Sequence, residues 1–446
     1  MELGARTEGQ AVFSLVQRLF PICRSITGGG LRQSLEILQQ TAPLILHEVP
    51  SGTQVFDWTV PKEWNIRDAY IKNTKGDRVV DFHRHNLHVV NYSHPIRLTM
   101  SLAELRPYLH TLPQHPDWIP YRTSYYRETW GFCLTQHQLD ALPEGPYEVC
   151  IESTLAPGHL TYGELRLQGE SNEEVLFSCH SCHPSLANDN LSGMAVMAFL
   201  ARELLPRKLR YSYRFLWIPG TIGSITWLAR NEELLPRIRH GLVLSCLGDA
   251  GDFTYKRSRR GNAAIDTVTA HVLRQSGRPF HERDFIPYGY DERQYCSPGI
   301  NLPVGSLTRT PNGEYPEYHT SADDLSLISP AALGESLTRL LDVVAILEGN
   351  QRYRNTHPKC EPQLGRRGLY RNVGGQNPAT RELALLWALN LSDGTNSLLD
   401  IADRAKFAFS DIREAASDLE SAGLLERLPT PDATLPKGER ELRPIP

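Results

Sequence analysis

The sequence predicts an α/β protein with a mostly parallel sheet flanked by helices, and two observations support this fold class. Between about residues 163 and 345, apolar runs of strand length alternate with amphipathic stretches of helical length. This βαβ rhythm is typical of a parallel sheet covered on both faces. An aromatic, β-rich stretch precedes this region, and three amphipathic helices follow it. We therefore predict one α/β domain, one inserted domain and one C-terminal domain.

The α/β domain is predicted to comprise residues 1–45 and 161–350. Its strands are nearly continuous apolar runs, as expected for strands that are buried on both faces. The clearest elements, in order, are a strand at 174–179, a helix at 192–205, a strand at 211–218, a helix at 222–233 and a strand at 241–246. A sheet of this kind binds its ligands beyond the carboxyl ends of its strands.

The two other domains have their own sequence character. Residues 46–160 are rich in Trp, Tyr, His and Pro around short alternating segments, which predicts an inserted β-rich domain. Residues 375–446 are predicted to form a winged helix-turn-helix domain, with helices at 381–391, 398–405 and 410–422. Residues 379–446 contain 8 Lys and Arg against 12 Asp and Glu, so a structural or dimerising role is favoured over DNA binding.

The overall composition disfavours several classes of partner. A net charge of -4 and a pI near 6.5 provide no general attraction for nucleic acid or for an anionic membrane. No apolar run approaches the length of about 18 residues needed to cross a bilayer, and the N-terminus does not resemble a signal peptide. We expect a cytoplasmic protein with free thiols at its eight cysteines. The sequence leaves open whether it is a homo-oligomer.

The strongest chemical signal is the segment 179–193, which joins a buried strand to a helix. It places His180 at the end of the strand and Asp189 just before the helix, where backbone amides and the helix dipole stabilise a carboxylate. Imidazole and carboxylate groups are suitable ligands for zinc. Considered singly, Asp189 has the alternative interpretation of a helix N-cap, and His180 that of a hydrogen-bonded strand-end histidine.

Two later segments supply further candidate ligands. Asp249 ends another buried strand, and His319 lies in a polar loop before the last helix of this domain. Since these groups follow strand ends of one sheet, the sequence predicts a metal site formed by His180, Asp189, Asp249 and His319. His183 is a reserve ligand. The pair Cys179 and Cys182 has the spacing of a structural zinc site, but no second such pair accompanies it, so Cys182 is expected beside the site.

These residues resemble a known family. The segment 180–193, together with Asp249, residues 290–292 and His319, is similar to the zinc aminopeptidase superfamily that includes leucyl-type aminopeptidases and glutaminyl cyclases. Over nearly its full length, the chain more closely resembles a bacterial family of aminopeptidase-like proteins of uncertain function, with an inserted domain and a C-terminal winged helix. The strings 24–28, 255–259 and 314–319 are distinctive of that family.

The resemblance implies that Asp189 bridges two metal ions, with His180 and Asp249 on one ion and His319 on the other. It also reveals a departure, because the superfamily has adjacent glutamates, one a general base and one a ligand, where this chain has residues 216–224 without a carboxylate. The ion near His319 would then have fewer than the three protein ligands that are typical of catalytic zinc. One Zn²⁺ ion is therefore favoured over two.

The missing glutamates leave the general base to another residue. Glu292 is the first candidate, since the resemblance places it over the substrate pocket, and a salt bridge to Arg293 or to the basic run 256–260 is its alternative role. Glu317, in the histidine loop, is the second candidate. Asp291 and Tyr318 are candidate substrate contacts, and Asp291 has the alternative of orienting a neighbour.

Arg257 and Arg259 are the candidate anion-binding residues. They follow the strand that ends at the predicted metal site, and their guanidinium groups would bind a carboxylate or phosphate of the substrate. A solvated surface run is the alternative. The sequence as a whole predicts a zinc hydrolase of the aminopeptidase type, which cleaves an amide or peptide bond of a small molecule or short peptide. The resemblance implies a role in surface-polysaccharide or specialised-metabolite biosynthesis.

Two other functions remain open. A catalytically inactive binding or scaffolding protein would account for the missing glutamates. A deacylase or transamidase acting on an amino sugar would keep the metal and change the reaction.

Overall fold

The computed structural model describes residues 2–369 and 378–429, and the chain divides into two compact units, Met1–Asp342 and Val343–Pro446. The helices are α1 (Glu2–Leu19), α2 (Gly29–Gln39), α3 (Leu102–Leu105), α4 (Gln136–Asp140), α5 (Gly193–Leu204), α6 (Ile222–Arg230), α7 (Ala264–Gln275), α8 (Glu292–Tyr295), α9 (Pro330–Gly349), α10 (Pro378–Leu391), α11 (Leu398–Ala405) and α12 (Phe409–Ser421).

The strands are short in the inserted region and longer in the main sheet. They are β1 (Ile45–Pro50), β2 (Gln54–Val55), β3 (Trp58–Thr59), β4 (Glu63–Lys72), β5 (Arg78–Asp81), β6 (Ile96–Ser101), β7 (Leu109–His110), β8 (Phe132–Cys133), β9 (Pro146–Ala156), β10 (His159–Leu167), β11 (Glu174–His180), β12 (Ser212–Ile218), β13 (Ile238–Leu244), β14 (Phe253–Lys256), β15 (Phe280–Arg283), β16 (Val304–Thr308), β17 (Arg352–Asn355), β18 (Asp393–Ser397) and β19 (Leu425–Arg427).

The main sheet has the strand order β1-β10-β12-β11-β13-β16-β14-β15. Its centre, from β12 to β16, is parallel, whereas the pairs β1·β10, β10·β12 and β14·β16 are antiparallel. The α/β class is confirmed, and the sheet is mixed with a parallel centre. Each parallel pair of this sheet has at least one helix between its two strands in sequence, because a parallel pairing requires a long crossover.

The central strands form the core of the first unit. Every residue of β11 and of β12 is buried, as their continuous apolar sequences predict, and α5 packs on β11 while α7 packs on β13. Charged side chains enter this core where β11 begins: the Glu174 carboxylate accepts hydrogen bonds from Arg214 and Arg166. The amino ends of the strands are thus closed by ion pairs, and the carboxyl ends remain available for the site.

The region predicted as an insertion contains a four-stranded antiparallel sheet with the order β5-β4-β9-β6. Its core is formed by apolar side chains that include Ile71, Val149 and Phe132. Strand β10 begins directly after β9, so the chain passes from this small sheet into the edge of the main sheet within three residues.

The second unit contains the antiparallel sheet β18-β17-β19 and the helices α10, α11 and α12. The predicted helices at 381–391, 398–405 and 410–422 agree with these three helices. Parts of the predicted domain 375–446 lie outside the described residues. Among the helices that the structure describes, none combines the length and the apolar character that a membrane span requires.

Candidate active site

Four polar side chains meet beyond the carboxyl end of β11. His180 is the last residue of that strand, and His183 and Asp189 lie in the segment that leads to α5. All three are buried. His319 is in the loop between β16 and α9, with about a third of its side chain exposed. The site is therefore enclosed by the sheet on one side and opens toward His319.

Asp189 is at the centre of this cluster. Its Oδ1 accepts a hydrogen bond from His180 Nε2 at 2.7 Å. Its Oδ2 lies 3.0 Å from His319 Nε2 and 3.6 Å from His183 Nε2. Within the described residues, one donor atom each of His180, His183 and Asp189 lie within 4.8 Å of one another, so these three form a group that could hold a metal ion.

Several of these atoms are close together without forming hydrogen bonds. Asp189 Oδ2, His319 Nε2 and both ring nitrogens of His183 are buried and lack a hydrogen-bond partner among the described residues. Buried polar atoms are normally satisfied. Ligand atoms at about 2.0–2.1 Å from a tetrahedral zinc ion would lie about 3.4 Å apart, between the 3.0 and 3.6 Å that separate Asp189 Oδ2 from His319 and His183. The donor set therefore fits a zinc ion.

The protonation states also suit a metal site. Burial lowers the pKa of His183 well below its usual range, against the opposing effect of the Asp189 carboxylate, so the imidazole is neutral. Burial alone would raise the pKa of Asp189, but its interactions with the neighbouring imidazoles, including the hydrogen bond from His180, hold that pKa well below its usual range. A neutral imidazole and an ionised carboxylate are the forms that bind zinc.

A second carboxylate, Asp323, fixes the backbone that carries Asp189. It accepts hydrogen bonds from the backbone N–H groups of Asn188 at 2.6 Å and Asp189 at 3.0 Å, and from the hydroxyl of Tyr315 at 3.2 Å. Burial raises the pKa of Asp323 to about 7. Its role is to hold the Asp189 segment in place from the side of the histidine loop.

Asp249 does not join the metal-binding group, which differs from the prediction. Its carboxylate accepts hydrogen bonds from Asn188 Nδ2 at 2.9 Å, Gly251 N–H at 2.7 Å, Thr310 Oγ1 at 2.7 Å and Thr310 N–H at 3.3 Å. These donors occupy both of its oxygens. The structure thus groups His183, the predicted reserve ligand, with His180 and Asp189, whereas the carboxylate of Asp249 is bound by other residues of the chain.

Tyr290 packs against Gly220, in the segment 216–224 that contains no carboxylate. Its ring stacks on His180 with a centroid separation of 3.7 Å, and its hydroxyl lies 3.6 Å from Cys182 Sγ. A Cβ atom at Gly220 would come within 1.8 Å of this ring, so the absence of a side chain at Gly220 is what admits the tyrosine. Cys182 lies beside the site, as predicted.

Asp291 is buried behind Tyr290. It accepts a hydrogen bond from Ser224 Oγ at 2.8 Å, and its other oxygen has no partner among the described residues. Burial raises the pKa of Asp291 to about 8, although the Ser224 hydrogen bond opposes this shift. Because Asp291 is fully buried, its position agrees better with the alternative role of orienting a neighbour than with the predicted substrate contact.

Glu292 is not positioned as a general base. Its Oε1 lies 2.5 Å from Lys256 Nζ, and both of its oxygens accept hydrogen bonds from the backbone N–H of Tyr290, at 3.1 and 3.2 Å. The salt bridge to the basic run, which was the alternative for this residue, is the arrangement observed. Both oxygens of Glu292 are therefore engaged within the chain.

The basic run is likewise engaged in contacts within the chain. Arg257 forms an ion pair with Glu282 at 2.6 Å, and Arg259 donates a hydrogen bond to Asn301 Oδ1 at 3.1 Å. The structure therefore does not present these two residues as substrate-binding groups. Of the remaining candidates, Tyr318 stacks on His319 at 3.9 Å, and Glu317 is half-buried with no hydrogen bond or ion pair of its carboxylate among the described residues.

A strap from the inserted region, residues 119–121, covers the site. The N–H of Tyr121 donates to the carbonyl of His319 at 2.8 Å, and the N–H of Ser321 donates to the carbonyl of Ile119 at 2.8 Å. The ring of Tyr121 lies against His183 and His319, with centroid separations of 5.0 and 5.1 Å. Sequence reasoning missed Tyr121, because no local pattern signals a contact across about two hundred residues.

Comparison with known proteins identifies two sequence families. A model described as a domain of unknown function (DUF4910) matches residues 13–350, and a winged helix-turn-helix model matches residues 351–427. The second match confirms the predicted winged helix. A Clostridium acetobutylicum protein, named as a candidate polysaccharide biosynthesis protein with an aminopeptidase-like domain, is 53% identical over 419 residues, which cover 94% of this chain and 96% of that protein.

Solved structures extend the comparison to the fold. The crystal structure of a candidate peptidase from Clostridium acetobutylicum has a TM-score of 0.92 at 51% identity, covering 96% of this chain and 98% of that one. A zinc aminopeptidase from Bacillus subtilis has a TM-score of 0.54 at 12% identity, covering 76% and 94%. An M28 peptidase precursor from Shewanella amazonensis has a TM-score of 0.53 at 14% identity, covering 77% and 95%. The last two similarities concern the fold alone.

Proposed function

Because the chain belongs to the DUF4910 family of aminopeptidase-like proteins, we propose that it is a zinc-dependent hydrolase that cleaves an amide or peptide bond of a small substrate. The observation that carries this proposal is the convergence of three histidines on Asp189, where Asp189 Oδ2 and the facing ring nitrogens of His183 and His319 are buried without a hydrogen-bond partner among the described residues. Unpaired polar atoms in the interior would destabilise the fold, whereas imidazole and carboxylate groups in this arrangement are suitable zinc ligands.

His180, His183 and Asp189 would hold the ion, and His319, which is partly exposed, would border the fourth position, which is left to water or substrate. A zinc ion bound there would supply polarisation of the substrate carbonyl and activation of a water molecule. Three protein ligands with an open position are typical of catalytic zinc sites, whereas structural sites are closed. One ion is proposed, since Asp249 is engaged elsewhere.

The chain's own residues would prepare the site in three ways. Asp323 would fix the Asp189 segment through two backbone N–H groups. Tyr290 and Tyr121 would exclude bulk water from the histidines, because their rings pack on either side of them. Glu317 would accept the proton from the attacking water, since its carboxylate is in the His319 loop and has no partner among the described residues.

The name of the Clostridium acetobutylicum relative supports a role in polysaccharide biosynthesis. We propose that the substrate is a small molecule or short peptide in such a pathway. A second candidate function, an inactive binding protein, is favoured by one observation: residues 216–224 contain no carboxylate, and Tyr290 packs against Gly220 in their place. It predicts zinc binding without turnover.

Metal analysis of the purified full-length protein tests the proposal. We expect about one zinc per chain in the parent, a large loss in His180→Ala and His183→Ala, and full occupancy in His137→Ala, which removes an exposed histidine on α4. Amide hydrolysis is then measured across a panel of aminoacyl and N-acyl substrates. Zinc-free parent protein would refute the metal site, and zinc without hydrolysis would favour the inactive binding protein.

A further inference from the structure

The hairpin formed by β2 and β3 displays aromatic side chains on the surface of the first unit. Phe56 is 47% exposed, Trp58 is 40% exposed and the nearby Tyr126 is 58% exposed. Among the large apolar side chains that the described part of the chain leaves exposed, Tyr288 is the one other aromatic residue. Three of four such rings are therefore gathered in one place, which a monomeric protein seldom does without a ligand.

The backbone of this hairpin is held in an unusual conformation. Phe56 is at the first position of the two-residue turn and has a φ of 54°, a left-handed conformation that favours glycine or asparagine. Gln54 fixes the turn, because its Nε2 donates to the carbonyl of Phe56 at 2.7 Å and its Oε1 accepts from Thr59 Oγ1 at 3.2 Å. Local strain of this kind is associated with functional sites.

The hairpin forms one wall of a cavity of about 370 Å³, which we call the aromatic groove. The groove is lined by Phe56 and Trp58 on the hairpin and by Ile225 and Leu228 on α6. Its volume is in the range of about 300–1,000 Å³ that small-molecule sites occupy. The rings of Trp58 and Tyr126 meet edge to face at 5.2 Å, so Tyr126 extends the aromatic surface.

Polar groups at the groove are available for a ligand. The side chains of Asp57, Glu232, Gln294 and Ser297 line it, and none of them has a hydrogen bond or ion pair within the described residues. No lysine or arginine lines the cavity, so its charge does not suit a phosphate or carboxylate ligand. An apolar peptide side chain would leave these four polar groups without partners.

We propose that the aromatic groove binds a saccharide. A sugar ring has an apolar C–H face for the negatively polarised faces of Trp58 and Phe56, and hydroxyl groups for the carboxylates and amide. The inference rests on the proposed function in one respect: it makes the saccharide a part of the hydrolase substrate. Tyr126 and Tyr125 pack together, and the hydroxyl of Tyr125 is 2.7 Å from that of Tyr121, which borders the histidines. The groove and the zinc site are thus joined by one row of aromatic residues.

A binding measurement that needs no turnover tests the inference. Full-length protein as purified is applied to an array of immobilised glycans, and the best-bound free oligosaccharide is titrated calorimetrically. N-acetylleucine amide and inorganic phosphate are titrated in parallel as apolar and anionic probes. We expect saccharide binding that depends on Trp58, and no response to the other two probes that depends on Trp58.

Matched variants locate the binding. Trp58→Ala is expected to raise the saccharide Kd about tenfold, Phe56→Asn about threefold because it keeps a residue suited to positive φ, and Trp58→Phe less than threefold. Tyr288→Ala removes the exposed aromatic residue outside the groove and should leave Kd unchanged. Thermal denaturation of each variant identifies any that is unfolded. If Trp58→Ala is unfolded, the saccharide Kd of Trp58→Phe is compared with that of the parent instead.

The inference is overturned by an array without a bound glycan, by equal saccharide affinity in Trp58→Ala and the parent, or by binding of the apolar probe alone. Zinc content and amide hydrolysis are measured on the same preparations. If the protein binds saccharide at Trp58 but contains no zinc, the proposed function is refuted and saccharide binding in the aromatic groove is retained. If the protein is a zinc hydrolase but its saccharide affinity is the same in Trp58→Ala and the parent, the saccharide site is refuted and the proposed function is retained.

Discussion

The buried guanidinium group of Arg24 donates a hydrogen bond across 3.0 Å to the carbonyl oxygen of His183. His183 has a φ of 75°, a left-handed conformation that is unfavourable for a histidine and that needs support from its surroundings. Arg24 also donates to the carbonyl of Leu19 at 2.6 Å, and burial lowers the pKa of Arg24 to about 10. A distinctive residue of the N-terminal segment therefore fixes the backbone of a candidate zinc ligand.

Replacing Arg24 should weaken zinc binding. Arg24→Gln removes the donor to His183 and leaves buried carbonyl groups unpaired, which should lower the free energy of unfolding by about 1–3 kcal/mol and raise the zinc dissociation constant. Both are measured, by denaturant titration and by competition with a chelating dye. Arg67→Gln, which removes an exposed arginine, is the control. A variant that loses stability but keeps the parent zinc affinity would contradict this prediction.

The choice between His183 and Asp249 as ligand can be decided by metal content. His183→Ala should lose most of the bound zinc, because it removes one of three clustered donors. Asp249→Asn should keep the zinc, since the carboxylate is engaged by Asn188, Gly251 and Thr310. The reverse result, with zinc lost in Asp249→Asn and retained in His183→Ala, would restore the ligand set predicted from the sequence.

Glu317→Gln should separate proton transfer from metal binding. If Glu317 is the general base, the substitution lowers kcat by about 10²–10⁴-fold, with zinc content and stability unchanged. The measurement is steady-state kinetics on any substrate found in the hydrolysis panel. An unchanged kcat would remove the last predicted base.

Glu292→Gln provides the contrasting case. It leaves the mostly buried ammonium group of Lys256 without a charged partner, so the free energy of unfolding should fall by about 3 kcal/mol. Denaturant titration at neutral pH measures this loss. Full stability combined with a collapse of kcat would assign the catalytic role to Glu292 after all.

The raised pKa of Asp291 should make the free energy of unfolding depend on pH. Its pKa is about 8 in the folded chain and about 3.8 when unfolded, so between these values the folded state holds a proton that the unfolded state has lost. The free energy of unfolding therefore falls as the pH rises from about 4 to about 8, by at most about 1.4 kcal/mol per pH unit from this residue.

Asp291→Asn should remove that slope. The asparagine keeps an acceptor for Ser224 Oγ but carries no titrating proton. The check is denaturant titration of parent and variant at pH 5, 6, 7 and 8, with the difference between the two curves isolating Asp291. Parallel curves across this range would show that the carboxyl group does not titrate as described.

The fold was accessible to sequence reasoning where the physics is local. The apolar sequences of β11 and β12 predict strands buried on both faces, and their order with α5 and α6 predicts the parallel centre. The same logic places His180 and Asp189 correctly beyond a strand end. The antiparallel edges of the sheet were not predicted, because the pairing of β10 with β12 depends on how the chain returns from the inserted region.

The ligand set was harder to predict, because it depends on loop conformation. Asp249 and His319 both follow strands. Asp249 accepts hydrogen bonds from Thr310, however, whereas His319 faces Asp189. His183 has a left-handed backbone conformation beside Asp189. Histidine has no preference for that conformation, so the sequence does not predict it. The salt bridge of Glu292 with Lys256 joins residues 36 positions apart, so it too is invisible to local patterns.

The strap over the site has a consequence for biosynthesis. Its hydrogen bond from the N–H of Ile119 to Ser321 Oγ spans 202 residues of sequence. Tyr121 thus emerges from the ribosome about two hundred residues before His319, and the last strand of the small sheet, which ends at Ala156, is also made before that histidine. The strap is therefore made well before the histidine loop that docks against it.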